Sequence, residues 1–346
     1  MSEPFVLLRD PSTYVPCRLD LVADADVRKY WVDFFTSHID TITGIGVTAQ
    51  GDTDDAKHRA SLVARDLRQK LRDFSDRPTD FGPVTLFTLD RWRDDALRRH
   101  GFDDAFVDQK RRENDKMLPL LEQVIAEIEA SDDPVRLAIE GVFAGNIFDM
   151  GAKATAGQFK DSSPDFLQTR GKLKPRPWLF DDLDAFANKV NATPPKKTVF
   201  FADNAGSDFV LGVLPFVWLA STPGSTVVLA ANEEPSLNDM TAAEIRELWP
   251  RLPSVVRDLP VEIVSTGTGD PLIDLSAVSQ ELNDAASGAD LVVLEGMGRG
   301  VESNFDADLT CDRLNLAMLK DESIARSIGG ELYDCVCRFV PAPDHC

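Results

Sequence analysis

The chain has 346 residues, 43% of them hydrophobic and 27% charged, with 21 glycines and 21 prolines. Such a composition supports a large core, as one sizeable domain or two smaller ones, and argues against disorder over most of the length. A formal net charge of −21 repels phosphate backbones and anionic lipid, so general nucleic-acid or membrane binding is disfavoured, whereas a small anionic substrate stays open because a metal ion or a few local cations reverse the field inside a cleft.

The first 155 residues read as a helical portion. In "DADVRKYWVDFFTSHIDTI", Val27, Tyr30, Trp31, Phe34 and Phe35 fall on one side at helical spacing. "DDAKHRASLVARDLRQKLRDF" sets opposite charges three and four apart, as on a solvated helix face. Another helix is expected through "KMLPLLEQVIAEIEA", with Pro119 in its first turn. The next opens at Asp133 as N-cap with Pro134 at the first helical position, and continues as "VRLAIEGVFAGNIFDMGAKA". Asn146 and Asp149 interrupt that apolar helix, where polar groups need partners, either internal ones or a cleft. A connector over 156–195 carries Lys172, Lys174 and Arg176, which read as a solvated loop or as anion attraction at a cleft mouth.

From about Lys196 to the end, residues 196–346, the rhythm becomes strand, turn, helix. The strands are "TVFFAD", "STVVLAAN", "VEIVST", "ADLVVLEG" and "LYDCVCRFV". Apolar runs separated by helix-length segments predict an α/β fold, a mostly parallel Rossmann-like sheet in an αβα sandwich. Cys335 and Cys337 alternate with Val336 on the last strand and read as core, and the spacing is wrong for a zinc knuckle. The first residues, "MSEPFVLLRD", carry no basic-then-apolar signal pattern, and no apolar run reaches the ~18 residues that span a bilayer. A cytoplasmic location is expected.

In an open parallel sheet, ligands bind beyond the carboxyl ends of the strands. Polar groups recur there. The first strand ends in Asp203-Asn204, with Gly206 and Ser207 opening a helix; the second leads through Asn232, Glu233 and Glu234 to Asn238 and Asp239 at a helix start. Asp203, Asn204 and Asp239 supply three oxygen ligands from adjacent strand ends, which suits a hard or borderline divalent cation such as Mg²⁺ or Mn²⁺. Each acid also has a plain structural reading: Asp239 as a helix cap, Asp203 as the fixing group of a turn. The four histidines lie outside this edge, which disfavours zinc in a His-rich site. After the fourth strand, Glu295 precedes Gly296, Gly298 and Gly300 around Arg299. Glycines there let backbone amides approach a phosphate while a guanidinium grips its oxygens. Lys320, just before the last strand, reads by spacing as a helix-surface lysine.

Together "GNIFDMGA", "FFADNAGSDFVLGVLPF", "ANEEPSLNDMT", "LEGMGRGVESN" and "LKDESIARSIGGELYDCVCRF" resemble the metal-dependent damage-control phosphatases. "EGMGR" is similar to the signature of the second subfamily, which includes the phosphatase domain fused to a pantothenate-kinase-like protein in animals and stand-alone plant proteins. The resemblance implies a helical portion packed on an α/β sandwich. It also implies a divalent metal (Mn²⁺, Co²⁺, Ni²⁺ or Mg²⁺) and phosphomonoester hydrolysis of small, often damaged phosphometabolites such as sugar phosphates or phosphopantetheine-type compounds. By motif, Asp203, Asn204 and Asp239 become metal ligands and catalytic residues. Lys320, Arg299, Gly298, Glu295 and Asn146 become the substrate and phosphate contacts. The attacking group is either metal-activated water or the Asp203 carboxylate. Two rival readings are an S-adenosylmethionine-dependent methyltransferase, against which the first strand lacks a glycine-rich turn, and a non-catalytic phosphometabolite-binding module.

Overall fold

The strand that stops at Asp203-Asn204 runs through the middle of a seven-stranded sheet in the computed structural model, which describes residues 2–147 and 166–343. The strands are β1 (Phe180–Asp181), β2 (Lys197–Phe201), β3 (Thr226–Ala231), β4 (Val261–Ser265), β5 (Leu291–Glu295), β6 (Asp312–Met318) and β7 (Cys335–Val340), in the order β1-β7-β6-β5-β2-β3-β4. All neighbours are parallel except β6 and β7. From β2 the order runs to β3 and β4 on one side and to β5 and β6 on the other. That reversal opens a crevice at the carboxyl ends of β2 and β5.

All five expected strands form. β6 was hidden in the sequence because Asp312, Arg313 and Asn315 break its apolar run. All three are buried; the loop after β5 serves two of them, since Asn315 Nδ2 donates to the Gly300 carbonyl at 2.7 Å and Arg313 Nη1 to the Asn304 carbonyl at 2.6 Å, while Asp312 Oδ1 accepts from the Ala342 amide at 2.7 Å. Lys320 therefore leaves the end of a strand and is fully buried, which corrects its reading as a helix-surface lysine.

Six helices of the first half are α1 (Ala25–Ala49), α2 (Asp54–Asp76), α3 (Leu86–Arg99), α4 (Val107–Met117), α5 (Leu121–Glu129) and α6 (Pro134–Asn146). Asp24 caps α1 and Asp133 caps α6 through the Arg136 amide at 3.2 Å. The helix expected through "KMLPLLEQVIAEIEA" divides at a 3₁₀ turn, Leu118–Leu120, that accommodates Pro119. α4 is polar along most of its length, and its buried stripe is Lys110, Asn114 and Met117. Asp149 lies outside the described residues.

Alternation along β2 sends Val199 and Phe201 to one face and Phe200 to the other. Phe200, Val227, Leu229 and Val293 pack with Val142 and Phe143 of α6 and with Leu211 and Leu214. On the opposite face Val199, Phe201, Val228 and Val292 pack with Phe5, Leu7 and Leu282, and the Phe5 and Phe201 rings meet edge-on at 5.9 Å. A third cluster joins α1, α2 and α3 to Met297, Ala317, Leu319 and Val336, so the helices close over the carboxyl edge near β5 and β6. The sandwich is the expected one. Among the described residues no helix is long and apolar enough to cross a membrane.

Candidate functional site

Beyond β2 the chain bridges to the loop after β3: Asn204 pairs with Asp239, and the Met240 amide donates to the Asp203 carbonyl at 2.9 Å. The plain structural tasks considered for the two acids belong to other residues. Thr241, with Glu244 completing a capping box, caps the helix Ala242–Leu248. The turn after Asn204 is fixed by Asp208, whose carboxylate accepts from the Asn204 amide at 3.2 Å. Asp203 and Asp239 are 5% and 3% exposed, so their carboxylates are buried without a capping role to explain them.

One guanidinium draws these two acids together. Arg299 is buried; its Nη1 bonds Asp203 Oδ1 and the Pro271 carbonyl (3.1 Å), and its Nη2 donates to Asp239 Oδ2 at 2.8 Å and Asn232 Oδ1 at 3.0 Å. Burial alone would lower its pKa, but Asp239 and Asp203 outweigh that and raise it, so the charge is permanent. The Arg299 side chain thus lies among the carboxylates rather than projecting from the glycine loop. Glu295 and Asn146 meet on the other side of Asp203. Carboxylate oxygens of Asp203, Asp208 and Glu295 lie within 4.8 Å of one another, all buried. Asn146 Nδ2 donates to Asp203 (3.1 Å), Asp208 (3.0 Å) and Glu295 (3.0 Å), and Asn204 Nδ2 to Asp203 (2.7 Å) and Asp208 (3.0 Å). Lys320 Nζ holds the Asn146 carbonyl at 2.6 Å.

Close backbone approach makes this convergence possible. Gly296 has φ +93°, and a Cβ there would overlap the Asp203 carboxylate. A Cβ on Gly145 would sit 2.8 Å from the Asp208 Cα, so only glycine lets α6 bring Asn146 against that turn.

The electrostatics suit a cation. Burial, then the charge of Asp203, lifts the Asp208 carboxyl to about 6; burial, then Asp208 and Asp203, lifts Glu295 well above the usual carboxylate range. Among the described residues Asp208 Oδ1, Glu295 Oε2, Asn146 Oδ1 and both side-chain polar atoms of Asn238 have no hydrogen-bond partner although buried. Orphaned oxygen acceptors beside crowded carboxylates fit a hard divalent ion, which would supply the missing partner and relieve the repulsion. Turning either asparagine amide would bring its oxygen to the same point, since amide O and N exchange without changing shape.

Asp203, Asn204 and Asp239 also line a pocket. Its other walls come from Trp31, Phe34 and Phe35 of α1, Asp90 and Arg93 of α3, and Met297 and Gly298 of the glycine loop. The structure therefore brings Asp203, Asn204, Asp239 and Gly298 to the pocket surface and gathers Arg299, Glu295, Asn146 and Lys320 around the acids. Of the basic connector residues, Lys174 is paired with Asp334 at 2.5 Å and Arg176 with Asp181 and Asp184 at 2.8 Å. Asp208 was missed by sequence reasoning. Its signal was an acid at the head of the apolar run "DFVLGVLPF", where a buried carboxylate needs a partner.

An αβα sandwich with an oxygen-rich acidic centre at its topological switch point places the chain among the open-sheet α/β proteins that bind small ligands at that crevice. The damage-control phosphatase ARMT1-like domain matches residues 34–336. The chain is 40% identical to a damage-control phosphatase of Arabidopsis thaliana, over 89% of this chain and 87% of that one. It is 35% identical to pantothenate kinase 2 of the same plant and 29% identical to 4'-phosphopantetheine phosphatase of Mus musculus, in each case over 98% of this chain. It spans only 42% and 49% of those two proteins. A crystal structure of a DUF89 family protein from Pyrococcus horikoshii superposes with a TM-score of 0.63 at 18% identity, covering 88% of this chain and 96% of that one. The chain belongs to the damage-control phosphatase ARMT1-like family, as its motifs implied, and relatives named as phosphatases agree with the expected hydrolase activity.

Proposed function

We propose that the chain hydrolyses small phosphomonoesters with a divalent cation held by Asp203, Asn204 and Asp239. The observation that carries the reading is that these three oxygen-bearing residues line the pocket together, with Arg299 shared between the two carboxylates. When bound, the ion supplies Lewis acidity to a phosphoryl oxygen and neutralises charge as the ester bond breaks. Arg299 holds Asp203 and Asp239 in fixed orientations. Gly298 lines the pocket wall, and its missing Cβ lets the Pro271 carbonyl, which Arg299 also holds, pack close against the glycine loop. Lys320 balances the charge of Asp208 and Glu295 behind the site. Asp208 and Glu295 form a second set with Asp203, favoured by their orphaned oxygens, so a cation seated deeper is the alternative placement.

The apolar part of the pocket, with Trp31, Phe34, Phe35, Ile42, Leu97 and Leu237, excludes water from the leaving group. It suits a phosphopantetheine-type ester, whose arm offers methyl groups, better than a sugar phosphate, which offers hydroxyls throughout. The relative named 4'-phosphopantetheine phosphatase agrees with that choice. Mn²⁺, Co²⁺, Ni²⁺ and Mg²⁺ are the candidate ions. The test is hydrolysis of p-nitrophenyl phosphate by chelator-stripped protein refilled with each metal, with Asp203→Ala alongside. Metal-restored turnover in the wild type and its loss in the variant are expected; metal-stimulated hydrolysis by Asp203→Ala would sink the assignment.

A further inference from the structure

We infer that α4 and α3 form a polar clamp that fixes the Asp239 loop, with Lys110 as its central positioning residue. The inference rests on the metal reading above only for its functional consequence. A lysine buried to 1% exposure in the first turn of a polar helix is costly unless its charge is fully engaged. Lys110 Nζ bonds Asp104 at 3.0 Å and Glu244 at 2.7 Å, and donates to the Asp239 carbonyl at 3.3 Å. Glu244 uses its other oxygen to hold the Thr241 amide and hydroxyl, each at 2.9 Å. One ammonium thereby ties the backbone of Asp239 to the cap of the helix that follows it.

Three further contacts act on the same neighbourhood. One turn along α4, Asn114 Oδ1 accepts from the Gly206 amide at 2.7 Å, which anchors the turn after Asp203-Asn204 to the same helix. From α3, Arg93 Nη2 donates to Ser236 Oγ at 2.8 Å, and Ser236 Oγ donates to Asp94 Oδ2 at 2.7 Å. Between these points Leu237 is held at φ +46°, a left-handed conformation that a branched side chain adopts only under outside constraint, and it packs against Ala105 and Phe106. A loop strained at its centre and tied at Ser236, Leu237 and Asp239 has its geometry set by the helical half. The side chain of Asp239 is presented to the pocket as a result.

The experiment compares full-length wild type, Lys110→Met and Lys110→Arg, with two readouts. Hydrogen exchange of residues 236–240 in metal-free protein should accelerate at least about tenfold in Lys110→Met. Protection close to the wild-type level would overturn the clamp, whatever the protein does with metal. Mn²⁺ titration followed by electron paramagnetic resonance should then show about 10- to 100-fold weaker binding in Lys110→Met, the scale seen when groups that orient ligands are removed. Partial recovery is expected in Lys110→Arg. Equal affinity in all three proteins would overturn the functional half of the inference, while absence of Mn²⁺ binding by the wild type would instead count against the metal reading. If Lys110→Met does not fold, Ser236→Ala replaces it: removing the tie from Arg93 and Asp94 to the loop without touching a charge should accelerate the same exchange, and failure to do so overturns the clamp.

Discussion

Gly296→Ala tests how closely the glycine loop and the acidic centre are built around each other. Gly296 sits at φ +93°, and its Cβ position overlaps the carboxylate of Asp203. The added methyl costs about 1–2 kcal/mol for the left-handed backbone alone. Relief of the overlap must come from Asp203, because the Gly296 amide is pinned to the Leu316 carbonyl at 3.0 Å. Swinging that carboxylate away loosens its bonds to Arg299 and Asn204, in a site too buried for water to replace them, at about 1–3 kcal/mol more. The expected total is about 2–5 kcal/mol, read as a lower urea midpoint with an unchanged slope. Mn²⁺ affinity should fall by about 10- to 100-fold, the scale for a change that misorients a proposed ligand without removing it. A variant with wild-type urea midpoint and wild-type Mn²⁺ affinity would refute the reasoning, since it would mean that Asp203 tolerates a different position at no cost.

Two other expectations follow from the same geometry. Asp239→Asn should weaken Mn²⁺ binding by more than about 100-fold and Asp208→Asn by about 10- to 100-fold, the range for a group that supports rather than ligates; the reverse order in calorimetric titrations would move the ion to the Asp203, Asp208 and Glu295 set. Asp90 gives a pH-dependent effect. Burial is the main cause that raises its carboxyl to about 7, against the pull of Arg93. A carboxyl with a raised folded-state pKa favours the folded protein fully below its unfolded value near 4, and this contribution is lost as pH rises through about 7. Asp90→Asn keeps an acceptor for Arg93 and removes the titration. It should therefore gain on the order of 2–4 kcal/mol over wild type at pH 8 relative to pH 5, measured by urea unfolding at both values, and parallel stability curves would sink that account.

The fold class and half of the centre were written locally in the chain. Five apolar strands with helix-length spacers imply a parallel sheet because a strand buried on both faces has no polar side to show. Asp203-Asn204 and Asp239 were legible for the opposite reason, as residues that break that rule at strand ends. Local order also set the caps at Asp24 and Asp133, which need only a side chain and the next turn's amides. Tertiary structure decided the rest. β6 became a strand because distant backbone carbonyls satisfy Asn315 and Arg313, something no local pattern records. Arg299 proved to be a partner of carboxylates because the sheet order sets β5 beside β2, bringing residues 96 apart in sequence into contact. Lys320 read as a helix-surface lysine because burial of a charge depends on what surrounds it, and the burial of Lys110 and Asn114 was likewise decided by packing. Spacing along a helix reports which residues share a face, and only packing determines whether that face meets water or another part of the chain.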